Sequence, residues 1–207
     1  MKFPKSQKPN NFQPLVAGTQ ARLFLAHALD MVQERLRTVA ELRAMAALPT
    51  GITLPNTVNP LAELGTIGEA IAFSGTGNGF TMYPIVVNSG KYSDKMTGEQ
   101  QHTGDLVEMD FHMILPEDEA LGFKKMVANR EFTAIIGDLG TSGNDFKIAG
   151  FRDIPAFIKD VTIDSGSKPG DKRVLSGKIV ETSGRGMFVY PVATLHPNGL
   201  PMAVQMA

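Results

Sequence analysis

The sequence predicts an α+β fold that is mainly β: an antiparallel β-sandwich or barrel with one short inserted helix, one long N-terminal amphipathic helix and extended terminal arms. Three observations predict it. Asp105 to Leu115 alternates strictly, with Val107, Met109, Phe111, Met113 and Leu115 on one face and Glu108, Asp110 and His112 on the other, the period of a half-buried strand. Phe132 to Asp138 is apolar on both faces, which marks a central strand covered on each side. Glycine, at 21 of 207 residues, exceeds the usual share of roughly 7% and fits a turn-rich β protein.

Taken in chain order, residues 1–17 are rich in proline, asparagine and lysine without periodicity, and read as an arm ordered by contact with something else. A long helix and a proline-rich linker are expected over 18–65. Thr19 supplies an N-cap, and Leu23, Phe24, Met31, Val32, Leu36, Val39 and Leu42 fall near helical spacing. Gln33, Glu34, Arg37, Glu41 and Arg43 take the wet side, and Pro49 ends the run. That stripe would pack on the sheet or on a neighbouring subunit. Pro55, Asn59-Pro60 and Gly65 then mark a loop.

The β module spans 66–194. Strands are expected at Thr66–Phe73 and Gly79–Asn88, joined by a turn over Ser74–Gly79. Residues 89–103 are polar and too long for a tight hairpin, so they read as a long loop that reaches a neighbour. Its contact residues would be Lys91, Tyr92, Asp94, Lys95 and Glu99. After the alternating strand, Pro116 opens a helix, with Glu117, Asp118 and Glu119 at the positive end of its dipole. Phe146–Phe151, Ile154–Asp164, Lys172–Thr182 and Met187–Thr194 complete the sheet, and Pro155 assigns its strand to an edge or a bulge. Residues 195–207 are apolar but broken by Pro197, Gly199 and Pro201, giving an extended tail that docks on a partner subunit or on its own domain.

The chemistry is sparse. A net charge of −1 gives no electrostatic reason for tight nucleic-acid binding, and the lack of cysteine removes disulfides, thiolate nucleophiles and thiolate metal sites together. No apolar run reaches the roughly 18 residues of a spanning helix, and no apolar core follows the lysines of the first residues, so neither a membrane span nor a signal peptide is expected. Ser74-Gly75-Thr76-Gly77-Asn78-Gly79-Phe80 resembles a phosphate loop only at a glance, because its third glycine position is Phe80 and no helix follows. Glu108, Asp110 and His112 share a strand face at spacings of roughly 6.5–7 Å, reachable by one cation but more often a solvated face. His27 falls on the apolar side of the expected helix, and His102 and His196 lie in loops with no partner set for nucleophilic catalysis. No catalytic residue, cofactor or metal ligand is assigned, and an enzyme is not expected.

A resemblance adds to this reading. The runs Lys91-Tyr92-Ser93-Asp94, Gly104-Asp105-Leu106-Val107-Glu108-Met109-Asp110-Phe111, Phe132 to Asp138, Ile148-Ala149-Gly150-Phe151, Gly166 to Arg173 and Ser176-Gly177-Lys178-Ile179 are similar in order and local pattern to tail-tube-type structural proteins of bacteriophages, particularly those of Bacteroidetes. The type VI secretion tube protein is similar. The likeness covers residues 91–182 and carries no diagnostic motif. It implies a virion protein, made in the bacterial host cytoplasm, that binds itself in hexameric rings, contacts other virion proteins and no membrane, and lets DNA pass without sequence preference. Strands 105–115 and 172–182 would pair with a neighbour's strands around the lumen, and Glu108, Asp110 and His112 would face inward, their carboxylates repelling phosphate. A head-to-tail connector, tail terminator or capsid decoration protein would share this composition. A ligand- or cell-surface-binding β module is a further alternative, weakened by the absence of Trp and only 3 Tyr.

Overall fold

The computed structural model describes residues 19–56, 58–86, 91–99, 102–138, 145–164, 174–183 and 185–202. The arm expected at 1–17 lies outside them.

Nine antiparallel strands form one sheet: β1 (Thr19–His27), β2 (Thr81–Pro84), β3 (Lys91–Glu99), β4 (His102–Met113), β5 (Glu131–Asp138), β6 (Asp145–Ala149), β7 (Ala156–Asp164), β8 (Val174–Ser183) and β9 (Phe188–Pro191). The main path runs β2-β1-β5-β7-β8-β4-β3. The sheet forks at β5. β1 lies along one edge of β5, while the other edge pairs with β7 at Glu131 and Phe132 and with β6 at Ala134–Gly137. Gly150 sits in the crotch at φ 82°, with no room for a side chain: a Cβ there would stand 2.2 Å from the Phe132 carbonyl oxygen. The buried Glu181 carboxylate accepts the Gly150 N–H and braces the fork.

The fork explains two cores. Leu23, Leu25, Phe132, Ala134 and Ile136 point to one side of β1 and β5, where they meet Val107, Met109, Phe111 and Met113 of β4 and Leu175 and Ile179 of β8. The helix α3 (Glu117–Val127) lays Ala120, Phe123 and Val127 on the same cluster, with Phe123 edge-on to Tyr83 and Phe111. Phe24, Ala26, Ile135 and Ile148 point to the other side, beneath Met31, Leu36, Ile67, Ile71, Phe80, Phe151, Phe188 and Tyr190. β5 is therefore covered on both faces, as its apolar run predicted. The sheet curls until Val86 N–H donates to the His112 carbonyl at 2.8 Å, but among the described residues no ladder closes it into a barrel.

The long helix expected over 19–47 is not formed. Leu23, Phe24, Leu25 and Ala26 are all buried because β1 is an inner strand with a core on each side. A 3-10 turn (Ala28–Asp30) and a five-residue helix α1 (Val39–Arg43) follow. Thr38, with Glu41, forms a capping box for α1, whereas Thr19 pairs with Asp138 in the sheet. Met31 and Leu36 are buried from irregular chain and Val39 and Leu42 from α1, and Val32 is exposed. The helical spacing was a coincidence of a short strand and irregular segments.

Other boundaries shift for local reasons. Pro60 and Asn59 open a short helix α2 (Pro60–Gly65), with the Asn59 side chain accepting from Ala62 N–H, where a loop was expected. Thr66–Phe73 makes isolated bridges, not a strand, because Gln33 and Tyr190 side chains take the place of a ladder partner: Gln33 bonds Ala70 O and Ala72 N, and Tyr190 bonds Ile71 N. β7 is paired on both sides, and Pro155 just precedes it. Its bulge falls at Asp160, φ 54°, which returns Val161 and Ile163 to the core side. The C-terminal segment turns through the short helix α4 (Val192–Leu195) and docks on its own domain as far as Met202, where a bridge joins it to Phe80.

Candidate assembly face

The expected long loop at 89–103 is instead a hairpin arm. β3 pairs with β4 in continuous register from Lys91↔Asp110 to Glu99↔His102. Polarity misled because β3, the last strand of the path among the described residues, is held by its ladder with β4 and shows exposed side chains at Asp94, Lys95 and Met96. Tyr92 packs against the first core, Asp94 accepts from Met187 N–H at 2.8 Å, and Lys95 is exposed. Met96 is 75% exposed beside them. Lys91 and Glu99 take their places in the ladder, their side chains outside the described set.

The expectation that strands 105–115 and 172–182 pair with a neighbouring copy is overturned. β4 is flanked by β3 and β8, and β8 by β4 and β7, so both are interior strands whose ladders are already filled. Among the described residues, β3 is the long strand with an edge left over.

The outer face of β3, β4, β8 and β7 is open. Glu108 and Asp110 lie on it half-buried and His112 is exposed, as the alternation predicted. Register aligns three cross-strand rows on this face: Ser93, Glu108, Val180 and Phe157; Asp110, Lys178 and Lys159; and His112, Ser176 and Thr162. Lys178 Nζ reaches Glu108 at 3.3 Å and Asp110 at 4.0 Å. The Glu108 hydrogen bond first, then the two carboxylate charges, holds the Lys178 ammonium above its ordinary range. Thr162 and Ser176 hydroxyls lie 2.6 Å apart. The face is thus a mixed-charge surface, with Lys178 between the carboxylates expected there, and sequence reasoning gave Lys178 no role. Alternation in β8 would have placed Lys178 outward, but only the β4–β8 register sets it between two carboxylates.

No group of three or more metal-ligating side chains comes together among the described residues. His27 stacks on Phe132 with ring centroids 5.4 Å apart and lies 3.3 Å from Arg130 Nη1. His102 lies in β4, and His196 packs against Tyr190. The glycine loop at 74–79 is knit internally by Asn78 Nδ2 donating to Ser74 O at 2.5 Å and by Ser74 bonding Asp30 O. Two clefts border these segments, about 150 Å³ beside His27 and about 440 Å³ between Gln33, Thr50–Thr53, Glu69 and Leu195. His27, Asp30, Thr81 and Tyr83 are among the lining of the first, and Thr50, Thr53, Glu69 and Thr194 among that of the second. No helix among the described residues is long and apolar enough to cross a membrane. No protein-family model matches the chain, and neither a curated protein nor a solved structure matches it.

Proposed function

We propose that the chain is a non-enzymatic structural subunit of a phage virion, a tail-tube protein that assembles with itself into stacked, hexameric rings around a DNA conduit. One observation carries the reading: a nine-residue edge strand, β3, projects from an open antiparallel sheet with its outer edge unmatched among the described strands. Such an edge templates pairing with another chain, and ring closure satisfies it without leaving an aggregating end. β3 of one copy adds to the sheet of the next, while β4 and β8 stay within their own subunit. The face bearing Glu108, Asp110 and His112 then lines the lumen. Its interleaved lysines and carboxylates offer passing phosphates no continuous positive track, so DNA moves through without being gripped. The subunit is built in the host cytoplasm and ends in the virion, in contact with other virion proteins and no membrane.

Negative-stain electron microscopy of the purified chain, with its solution mass over a concentration series, tests this. Rings or tubes with a central hole are expected, and Met96→Lys on the exposed edge should abolish them while leaving the denaturation midpoint unchanged. A stable monomer at high concentration would overturn the self-assembling tube and favour a decoration protein or ligand-binding module.

A further inference from the structure

The C-terminal segment 195–202 is held by one side-chain relay. Ile71 N–H donates to the Tyr190 hydroxyl at 2.8 Å, and that oxygen lies 2.6 Å from His196 Nε2. A phenol has one hydrogen to give. In the neutral imidazole with its proton on Nδ1, Nε2 accepts the hydroxyl hydrogen while Ile71 N–H occupies a lone pair of the same oxygen. Beyond His196, Leu195 and Leu200 pack on the second core, Phe80 N–H donates to Pro201 O at 2.9 Å, and Met202 bridges Phe80. The segment is thereby seated at the head of β2, the strand that ends the sheet path.

We propose that residues 195–202 form an acid-released strap, closed when His196 is neutral and opened when it takes a proton. An imidazolium at 196 turns Nε2 into a donor facing the same phenol oxygen. The hydroxyl hydrogen then loses its acceptor inside a side chain that is fully buried, and a charge is placed in a half-buried site. Opening lets the imidazolium reach water and uncovers Phe80 and its N–H beside β2. Few other charges face the relay. β9, α4 and the strap itself carry none in their sequences, and the segment before Ile71 contributes Glu69, whose carboxylate accepts Arg37 N–H at 2.6 Å. Arg37 Nη1 stands 3.9 Å from the same carboxylate.

Burial holds His196 below its ordinary value. The sign follows: a lowered value in the closed state makes closure complete above the free value of about 6.5 and lost as pH falls toward the closed-state value. The strap closes on its own domain, so its test does not depend on ring assembly. Amide hydrogen exchange of the Phe80 and Ile71 segments, corrected for intrinsic rate, should show protection in the monomeric chain falling up to about tenfold per pH unit below 6.5, with the Ile135 segment unchanged. His196→Gln, which still offers an acceptor but cannot take the proton, should hold Phe80 protection flat. Tyr190→Phe should lower protection at both segments and remove the pH slope. Flat protection in the unsubstituted chain, or the same slope in both variants, would overturn the strap and direct attention to Glu69.

Discussion

The two arms of the fork at β5 are built on opposite plans. The arm through β6, with β1 and β5, is covered on both faces: Phe24, Ile135 and Ile148 lie under irregular chain while Leu23, Ala134 and Ala149 face the first core, and β9 adds Phe188 and Tyr190 to the second core. The arm through β7, β8, β4 and β3 buries one face and leaves the other open to solvent, strand after strand. Burial on two sides fixes a strand by packing from every direction, so the first arm is the rigid frame. A one-sided sheet is specified by alternation and ends in an edge, so the second arm supplies the surface.

The largest effect should come where the arms part. Gly150→Ala places a Cβ 2.2 Å from Phe132 O and 2.7 Å from Ala156 N, in a φ 82° conformation that L side chains rarely adopt. Backbone cannot swing aside as a ring can, so the loss should exceed about 4 kcal/mol in denaturant unfolding. A smaller loss would mean that the fork is looser than its contacts imply. Phe111→Ala, in the one-sided arm, should cost about 3–5 kcal/mol by leaving a cavity under Phe123. Gly177→Ala, opposite it in β8, meets the same ring at 2.6 Å and should cost only about 1–2 kcal/mol, because the clash is with the far end of a side chain and not with backbone. Equal penalties at Gly150 and Gly177 would erase the distinction between the arms.

Alternation was legible wherever one face is buried. Val107 to Met113 was placed correctly, and so was the helix that opens after Pro116. β1 was not legible. Leu23-Phe24-Leu25-Ala26 reads the same for a helix or for a strand with two cores, and only partners distant in sequence, β2 and β5, decide between them. β3 was hidden for the opposite reason. Among its described side chains Tyr92 packs on the core while Asp94, Lys95 and Met96 are exposed, so its composition is that of a loop, and its strand geometry comes from the β4 ladder. On the candidate face, Glu108, Asp110 and His112 were legible as a shared side of one strand, but their partner Lys178 depends on a register that no local pattern encodes.

Glu63 offers a test on the covered side. Its side chain is almost fully buried by area, and Arg43 Nε and Nη2 grip both oxygens at 2.9 and 2.7 Å, pinning α2 to α1. The Arg43 hydrogen bonds hold the carboxyl below its ordinary range. Its contribution should therefore be complete above about pH 4.3, the unfolded value, and should fade as pH drops toward the lowered one. Glu63→Gln should flatten that part of the curve of unfolding midpoint against pH. An unchanged acid limb would place the pair outside the cooperative unit, making α1 and α2 an appendage instead of part of the frame.

The smallest effect on stability belongs to Lys178, and that smallness is informative. Its ammonium is a third exposed and serves two carboxylates in water, where Coulomb attraction is screened and the ordering of a long side chain offsets much of the gain. Lys178→Met should leave the unfolding midpoint unmoved within error, at low salt as at high. Its effect should fall instead on the charge of the open face, taking from Glu108 and Asp110 the ammonium that stands between them in each subunit. If that face lines a ring, the substitution stacks like charges around a closed circle and should weaken assembly most at low salt, with recovery as salt is added. If the face looks outward to solvent, ring formation should be indifferent to Lys178 at every ionic strength. A chain that folds equally well but assembles with a new salt dependence would tie the mixed charge to the partner surface, not to the fold.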